Sequence, residues 1–250
     1  MKNLYYSSSI MSKILKEAEN PPFSIRKRII PAGTLLNHYD PTEGRIFKVK
    51  FMNDFPIITL KEDSHIWMSD TPFELEGMAN SLKAAYGRVL IGGLGLGMFP
   101  YLIGLKRKVR EVDIIEKEQK VIDLVFPQIP SLKLNVVCDD IYHYVSTTQA
   151  RYDFIYLDIW PDIIGPIQDV DKAVAAAQRC LKPGGEVRVW LQELIDRVKD
   201  KLPKISQGPS GPITLEPCLV CGKYPRNDYA GLCMDCADLM GVSELFIPRK

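Results

Sequence analysis

Four of the six cysteines fall in two close pairs, Cys218-Leu219-Val220-Cys221 and Cys233-Met234-Asp235-Cys236, a C-x2-C-x11-C-x2-C spacing. Each short loop brings two thiolates to one side of an ion, and four together close a tetrahedral Zn2+ site at Zn–S distances of ~2.3 Å. A closed set leaves no open coordination position, so the expected zinc is structural. For so short a segment the metal supplies most of the folding free energy. Cys138 and Cys180 stand in apolar runs and are expected to be small buried side chains.

A second group lies mid-chain. Val89-Leu90-Ile91 runs into Gly92-Gly93-Leu94-Gly95-Leu96-Gly97, a glycine cluster between a strand-like and a helix-like pattern. Such a turn lets backbone approach a ligand without Cβ interference, with Gly93, Gly95 and Gly97 the candidate contacts. Glu116 follows nineteen residues after Gly97, where a carboxylate can accept both hydroxyls of a ribose. Asp139 and Asp140 close the third apolar run and suit an adenine amino group; Asp139 suits a helix cap before Ile141-Tyr142 equally well. Asp158 closes the fourth run, over the place for the reactive end of a bound nucleoside. Met98 holds the third glycine position of the G-x-G-x-x-G dinucleotide fingerprint, which makes NAD the minor reading. Nucleoside binding of the S-adenosylmethionine type leads, other nucleotides follow, and a ligand-free packing turn is the structural alternative.

These residues need elements to hold them. Residues 44–60 alternate in polarity around Asn53-Asp54, the pattern of a β-hairpin. Thr71-Pro72-Phe73-Glu74 reads as a capping box opening a helix with Leu75, Met78, Leu82 and Tyr86 on one face, stopped by Gly87. From Arg88 short apolar runs alternate with helical stretches, the βαβα rhythm of a mostly parallel, Rossmann-like α/β sheet covered on both faces. One helical stretch, 192–201, then leads into a Pro-, Gly- and Ser-rich segment, so the sheet is expected to stop at its fifth strand. The resulting division is an N-terminal extension with the hairpin and capping helix (1–86), a Rossmann-like S-adenosylmethionine-binding domain (87–202), a linker (203–217) and a zinc-ribbon or treble-clef finger (218–250).

Over 44–191 the chain resembles the spermidine-synthase-like branch of class I S-adenosylmethionine-dependent transferases. The resemblance is carried by the hairpin, the glycine turn, Ile114-Ile115-Glu116, Cys138-Asp139-Asp140, the segment from Tyr152-Asp153-Phe154 to Asp158, and Leu181-Lys182-Pro183-Gly184-Gly185, which looks like the turn before the fifth strand. Trp67-Met68-Ser69-Asp70-Thr71-Pro72 and Asp158-Ile159-Trp160-Pro161 look closest to uncharacterised methyltransferase-like proteins, many of them virus-borne. Two positions depart from the aminopropyltransferase pattern. Leu96 stands where that pattern has an acid inside the glycine turn, and the second acid of its Asp-x-x-Asp-Pro segment falls one residue late, at Asp162. The resemblance thus implies methyl transfer from S-adenosylmethionine to an unknown acceptor. Aminopropyl transfer from the decarboxylated cofactor is the second reading, and an inactive binding or adaptor module on the same fold the third.

Methyl or aminopropyl transfer from a sulfonium needs alignment and dryness more than acid catalysis. Asp158 and Asp162 are the candidates to hold an amine and take its proton, with Tyr156 and Trp160 as an aromatic wall and Trp67 and Asp70 closing the far side. Asp158-Ile159-Trp160-Pro161 also suits a strand end followed by a packed aromatic and a turn, and Asp70 suits a helix cap equally well. His143 is expected in a loop. With 32 basic against 31 acidic residues no global field attracts nucleic acid, so any protein or nucleic-acid contact is expected through the zinc finger. No apolar run approaches the ~20 residues of a membrane helix, and the expectation is a cytoplasmic chain without membrane contact.

Overall fold

The computed structural model describes residues 2–4, 9–40, 45–131, 133–160, 167–193 and 195–196. The first part of the chain forms β1 (Lys2–Leu4), β2 (Ala18–Asn20), β3 (Phe23–Ile30), β4 (Leu35–Asp40), β5 (Arg45–Phe51), β6 (Phe55–Glu62) and β7 (His65–Ser69). Strands β2-β3-β6-β7 make an antiparallel sheet; β5 pairs antiparallel with β4 and parallel with β1 in another. The hairpin expected over 44–60 is therefore corrected: both strands exist, as β5 and β6, but in different sheets. Phe51 instead exchanges backbone hydrogen bonds with Gly33 (2.7 Å) and Thr34 (3.0 Å), and Asp54, in the supposed turn, accepts the Ala32 N–H at 2.8 Å. A hairpin forms one strand later, between β6 and β7.

Next comes α1 (Pro72–Ala84), with Pro72 at its first position. Thr71 makes no side-chain cap bond, so the expected capping box is absent; its hydroxyl lies 3.4 Å from that of Ser69. The chain continues through β8 (Gly87–Gly92), α2 (Met98–Gly104), β9 (Val109–Glu116), α3 (Gln119–Val125), β10 (Leu134–Cys138), α4 (Ile141–Thr147), β11 (Tyr152–Leu157), α5 (Ile167–Gln178) and β12 (Leu181–Val189). The strands form one parallel sheet in the order β10-β9-β8-β11-β12.

Val89, Ile91, Val112, Ile114, Phe154 and Tyr156 face one core, shared with α2 and α3. Leu90, Ile115, Ile155, Leu157 and Val189 face the other, under α4 and α5. Burial on both faces is why these strands read as continuous apolar runs. Met11, Phe23, Ile25, Ile58 and Leu60 join the first core, so β3 and β6 share an interior with the parallel sheet, while Val49 and Phe51 of β5 pack with Phe55 and Ile57 in a cluster of their own. Two details depart from expectation. Leu181-Lys182-Pro183-Gly184-Gly185 belongs to β12, where Tyr152 pairs with Leu181 but Phe154 with Glu186, so residues 182–185 bulge. Cys180 is buried, whereas Cys138, on an edge strand, is exposed. Among the described residues no helix is long and apolar enough to cross a membrane.

A buried polar network ties four strands and a helix. Asp113, 6% exposed, accepts from the Tyr152 hydroxyl (2.9 Å), the Arg88 guanidinium (2.8 Å) and the Asn135 amide (3.1 Å), and the Tyr152 hydroxyl lies 2.7 Å from that of Tyr144. Asp113→Ala strands these donors and is expected to cost ~2–3 kcal/mol of unfolding free energy; urea titration checks it, with Asp113→Asn costing less.

Candidate active site

Because the sheet is parallel, all its carboxyl ends lie on one edge, and the crevice of such a sheet opens where the strand order reverses, here between β8 and β11. Backbone bonds stitch that edge. The Gly93 N–H donates to Ile115 (2.8 Å), the Asp158 N–H to Gly92 (2.9 Å), the Asp139 N–H to Glu116 (3.1 Å) and the Trp190 N–H to Leu157 (3.0 Å). The glycine turn, Glu116, Asp139 and Asp158 therefore stand in one row.

Gly93, Gly95 and Gly97 adopt φ of 94°, 51° and 72°, the left-handed region. The space a Cβ would need is already filled by protein: the Asp158 carbonyl oxygen 2.2 Å from the Gly93 position, the Met68 sulfur 2.6 Å from that of Gly95, and Ile129 Cδ1 2.1 Å from that of Gly97. The Leu96 N–H points at the same sulfur, 3.3 Å away. Leu96 and Met98 are sunk in the core. Glu116 accepts the Leu94 N–H on one oxygen (2.8 Å) and the Glu118 N–H on the other (2.9 Å), which fixes the carboxylate beside the turn while lone pairs remain for a ligand. Asp140, not Asp139, caps α4, accepting from Tyr142 (2.8 Å) and His143 (3.3 Å). Asp139 lies 2.9 Å from His143 Nδ1, and His143 is in α4 rather than in a loop.

The acids gather around Tyr156. Its ring is fully buried, stacked 3.7 Å from Phe99, and its hydroxyl meets no partner among the described residues. Burial pushes the phenol up, and Asp158, Glu74 and Glu193 push it further. Asp158 and Glu74 keep some accessible surface yet are ringed by protein atoms, the condition of side chains lining a cleft. Burial, with Glu116 adding, raises Asp158 to about 7. Burial, then Asp158 and Asp70, hold Glu74 well above the usual carboxylate range. Glu193 accepts the Asn80 amide at 2.8 Å, and the Trp190 indole nitrogen nearby is buried without a partner among the described residues.

Glu74 and Glu193 were not singled out by motif. Glu74 read as half of a capping box, and Glu193 as the start of an ordinary helix. The available signal was topological: α1 enters β8 through only residues 85–86, so it runs antiparallel to the strands and its first turn must lie at their carboxyl ends. Other expectations are corrected. Asp70 is buried and its carboxylate is engaged by the Ile58 (2.7 Å) and Ser12 (3.1 Å) N–H groups, Thr71 rather than Asp70 stands at the cap position of α1, and Trp67 sits on the hairpin surface with its indole on Glu62 (3.0 Å). Trp160 packs with the α4–α5 core, on the sheet face opposite Tyr156, so the two form no common wall. Asp162, Cys218, Cys221, Cys233 and Cys236 lie outside the described residues.

Fold and site define a Rossmann-like α/β protein with an acidic crevice at the strand reversal. No protein-family model matches the chain. A polyamine aminopropyltransferase of Pseudomonas aeruginosa is 32% identical over 108 residues, 39% of this chain and 37% of that protein, so the chain spans little more than a third of the relative's length. Among solved structures, spermidine synthase from Thermotoga maritima matches at a TM-score of 0.42 and 14% identity, covering 62% of this chain and 63% of that one. A putative S-adenosylmethionine-dependent methyltransferase from Streptococcus mutans matches at 0.44 and 14%, covering 54% and 38%. Another such methyltransferase, from Geobacter sulfurreducens in complex with S-adenosylhomocysteine, matches at 0.38 and 18%, covering 48% and 47%.

A carboxyl whose pKa rises on folding stabilises the fold when protonated, and that contribution is lost as pH climbs through its folded value. With Asp158 at about 7, Asp158→Asn is expected to raise Tm, and by more at pH 8 than at pH 5. Paired melting curves at the two pH values check this; an equal shift at both would mean that Asp158 titrates normally.

Proposed function

We propose that the chain is an S-adenosylmethionine-dependent methyltransferase whose acceptor is an amine. The observation that carries this reading is Asp158, a carboxyl at about 7 at the strand reversal among Glu74, Glu193 and the Tyr156 hydroxyl, which meets no partner among the described residues. Negative side chains in a cleft attract an alkylammonium, and a base titrating near neutrality takes its proton more readily than one titrating near 4. The bound donor supplies a sulfonium-activated carbon. An alkylammonium held there would first lose one proton to ionised Asp158, and the lone pair so freed would form the C–N bond as the C–S electron pair left with sulfur, the product leaving as the charged secondary amine. Glu116, held beside the glycine turn by the Leu94 and Glu118 N–H groups, is the residue proposed for the ribose hydroxyls. Asp139 is proposed for the adenine amino group, while the oxygens of Asp140 are engaged with the backbone of α4.

Two other readings each have an observation in favour. The 108-residue match to an aminopropyltransferase favours transfer of an aminopropyl group from decarboxylated S-adenosylmethionine. The packing of Met68, Asp158 and Ile129 against the three glycines favours a turn kept for structure alone, in a protein that binds partners without catalysis. The proposal also assigns a structural Zn2+ to Cys218, Cys221, Cys233 and Cys236, whose four thiolates at this spacing suit a closed tetrahedral site.

Calorimetric titration of the zinc-loaded chain should show micromolar binding of S-adenosylmethionine, weakened at least tenfold in Glu116→Ala with the melting curve retained. Tighter binding of the decarboxylated form would move the assignment to aminopropyl transfer, and no binding of either, or of S-adenosylhomocysteine, would leave the binding-protein reading. Atomic emission should find one zinc per chain, reduced in Cys221→Ser; metal-free preparations that behave identically would remove the finger.

A further inference from the structure

Near-neutral net charge conceals a separation of charge along the strands. The carboxyl edge of the sheet holds Glu74, Glu116, Asp139, Asp158 and Glu193. The amino edge, where every strand of the parallel sheet begins, exposes Lys83, Arg107, Lys108, Arg110, Arg151 and Arg179, drawn from the segments entering β8, β9, β11 and β12, while the acids near it, Glu111 and Glu186, are paired with Arg88 and Arg188. Strands ~4.8 Å apart make a five-strand edge roughly 19 Å long, longer than one nucleotide.

On this edge lies a cavity of about 540 Å³ lined by Lys83, Tyr86, Lys108, Arg110 and Asp153, among others. Asp153, the acid among its described lining residues, does not repel an anion. One oxygen of Asp153 accepts the Arg88 N–H (2.7 Å), the Lys182 ammonium (2.8 Å) and the Arg110 guanidinium (3.1 Å). Among the described residues Lys83 and Lys108 meet no carboxylate, so their charge faces the cavity uncompensated. Tyr86 is 38% exposed, and its hydroxyl donates to the Gly184 carbonyl at 3.2 Å, which holds the ring in place as a wall. Cations that track a backbone beside a fixed aromatic ring are the elements of single-strand recognition.

We propose that the amino edge of the sheet binds the phosphodiester backbone of single-stranded nucleic acid, with Lys83, Lys108 and Arg110 on phosphates and Tyr86 against a base. The site lies at the opposite end of the sheet from Asp158 and is independent of the transferase reading.

Fluorescence anisotropy of a labelled twelve-residue oligothymidylate with the full zinc-loaded chain tests it. Binding is expected in the micromolar range at 50 mM salt, with log Kd against log salt rising at about 2, the value for three phosphates at ~0.7 each. The double variant Lys83→Glu/Lys108→Glu should weaken binding at least tenfold and lower that slope, and Tyr86→Ala should weaken it severalfold with the slope unchanged. Lys27→Glu, on β3, should change neither, and melting curves confirm that all variants fold. Undiminished binding by the double variant would place any nucleic-acid contact elsewhere, in the cysteine-rich segment first, and overturn the proposal. Displacement by inorganic phosphate or ATP at concentrations matching those of unlabelled oligothymidylate would overturn it too, in favour of a free-phosphate site.

Discussion

The pairing of β11 beside β8 governs the molecule. Parallel register from Phe154 on Val89 to Leu157 on Gly92 sets two strands distant in the chain side by side at the centre of the sheet. It is this neighbour relation that carries Asp158 to the glycine turn, since the Asp158 N–H continues the ladder onto the Gly92 carbonyl. A strand inserted anywhere else would have left the glycine turn and the fourth acidic segment on different parts of the edge. The two-sided apolar core makes the arrangement stable, because helices cover both faces of the sheet.

That stability is set against the cost of the cleft. Carboxyl groups at Glu74 and Asp158 are desolvated, and neighbouring acids disfavour their charge further, Asp158 and Asp70 at Glu74 and Glu116 at Asp158. A buried phenol hydroxyl at Tyr156 and a buried indole nitrogen at Trp190 stand without partners among the described residues. Polar groups in such positions reduce stability, and proteins concentrate such costs where they bind or react. Elsewhere the same sheet supplies a buried carboxylate with partners: Asp113 accepts from three donors. The contrast between these two acidic centres, one saturated and one not, is what distinguishes scaffold from site.

Much of this was legible in the text of the chain. The rhythm from Val89 to Val187 marked a parallel sheet, and the residues after each run marked its carboxyl edge, because strands buried on both faces leave a continuous apolar signal. Pairing was less legible. Residues 45–60 show two strands clearly, but alternation says only which face a residue takes, not which strand lies beside it, and Gly33 and Thr34 captured Phe51. Glu74 escaped for a related reason: a Thr-Pro-x-Glu run has a sufficient local explanation in helix capping, and only the direction of α1 against β8 turns the same glutamate inward. For the three glycines the spacing suggested ligand approach, whereas the structure fills those spaces with Met68, Ile129 and the Asp158 carbonyl.

The direction of α1 has one more consequence. Its aligned peptide units place partial positive charge at the end that carries Glu74 and partial negative charge at the end that carries Lys83. At the latter end the Lys106 ammonium gathers the carbonyls of Leu82, Lys83 and Ala85. The backbone dipole of this helix therefore opposes the side-chain charges at both edges of the sheet. A chain that concentrates acids at one end and bases at the other carries its own counterpoise, running through the thirteen residues of a helix that spans the gap.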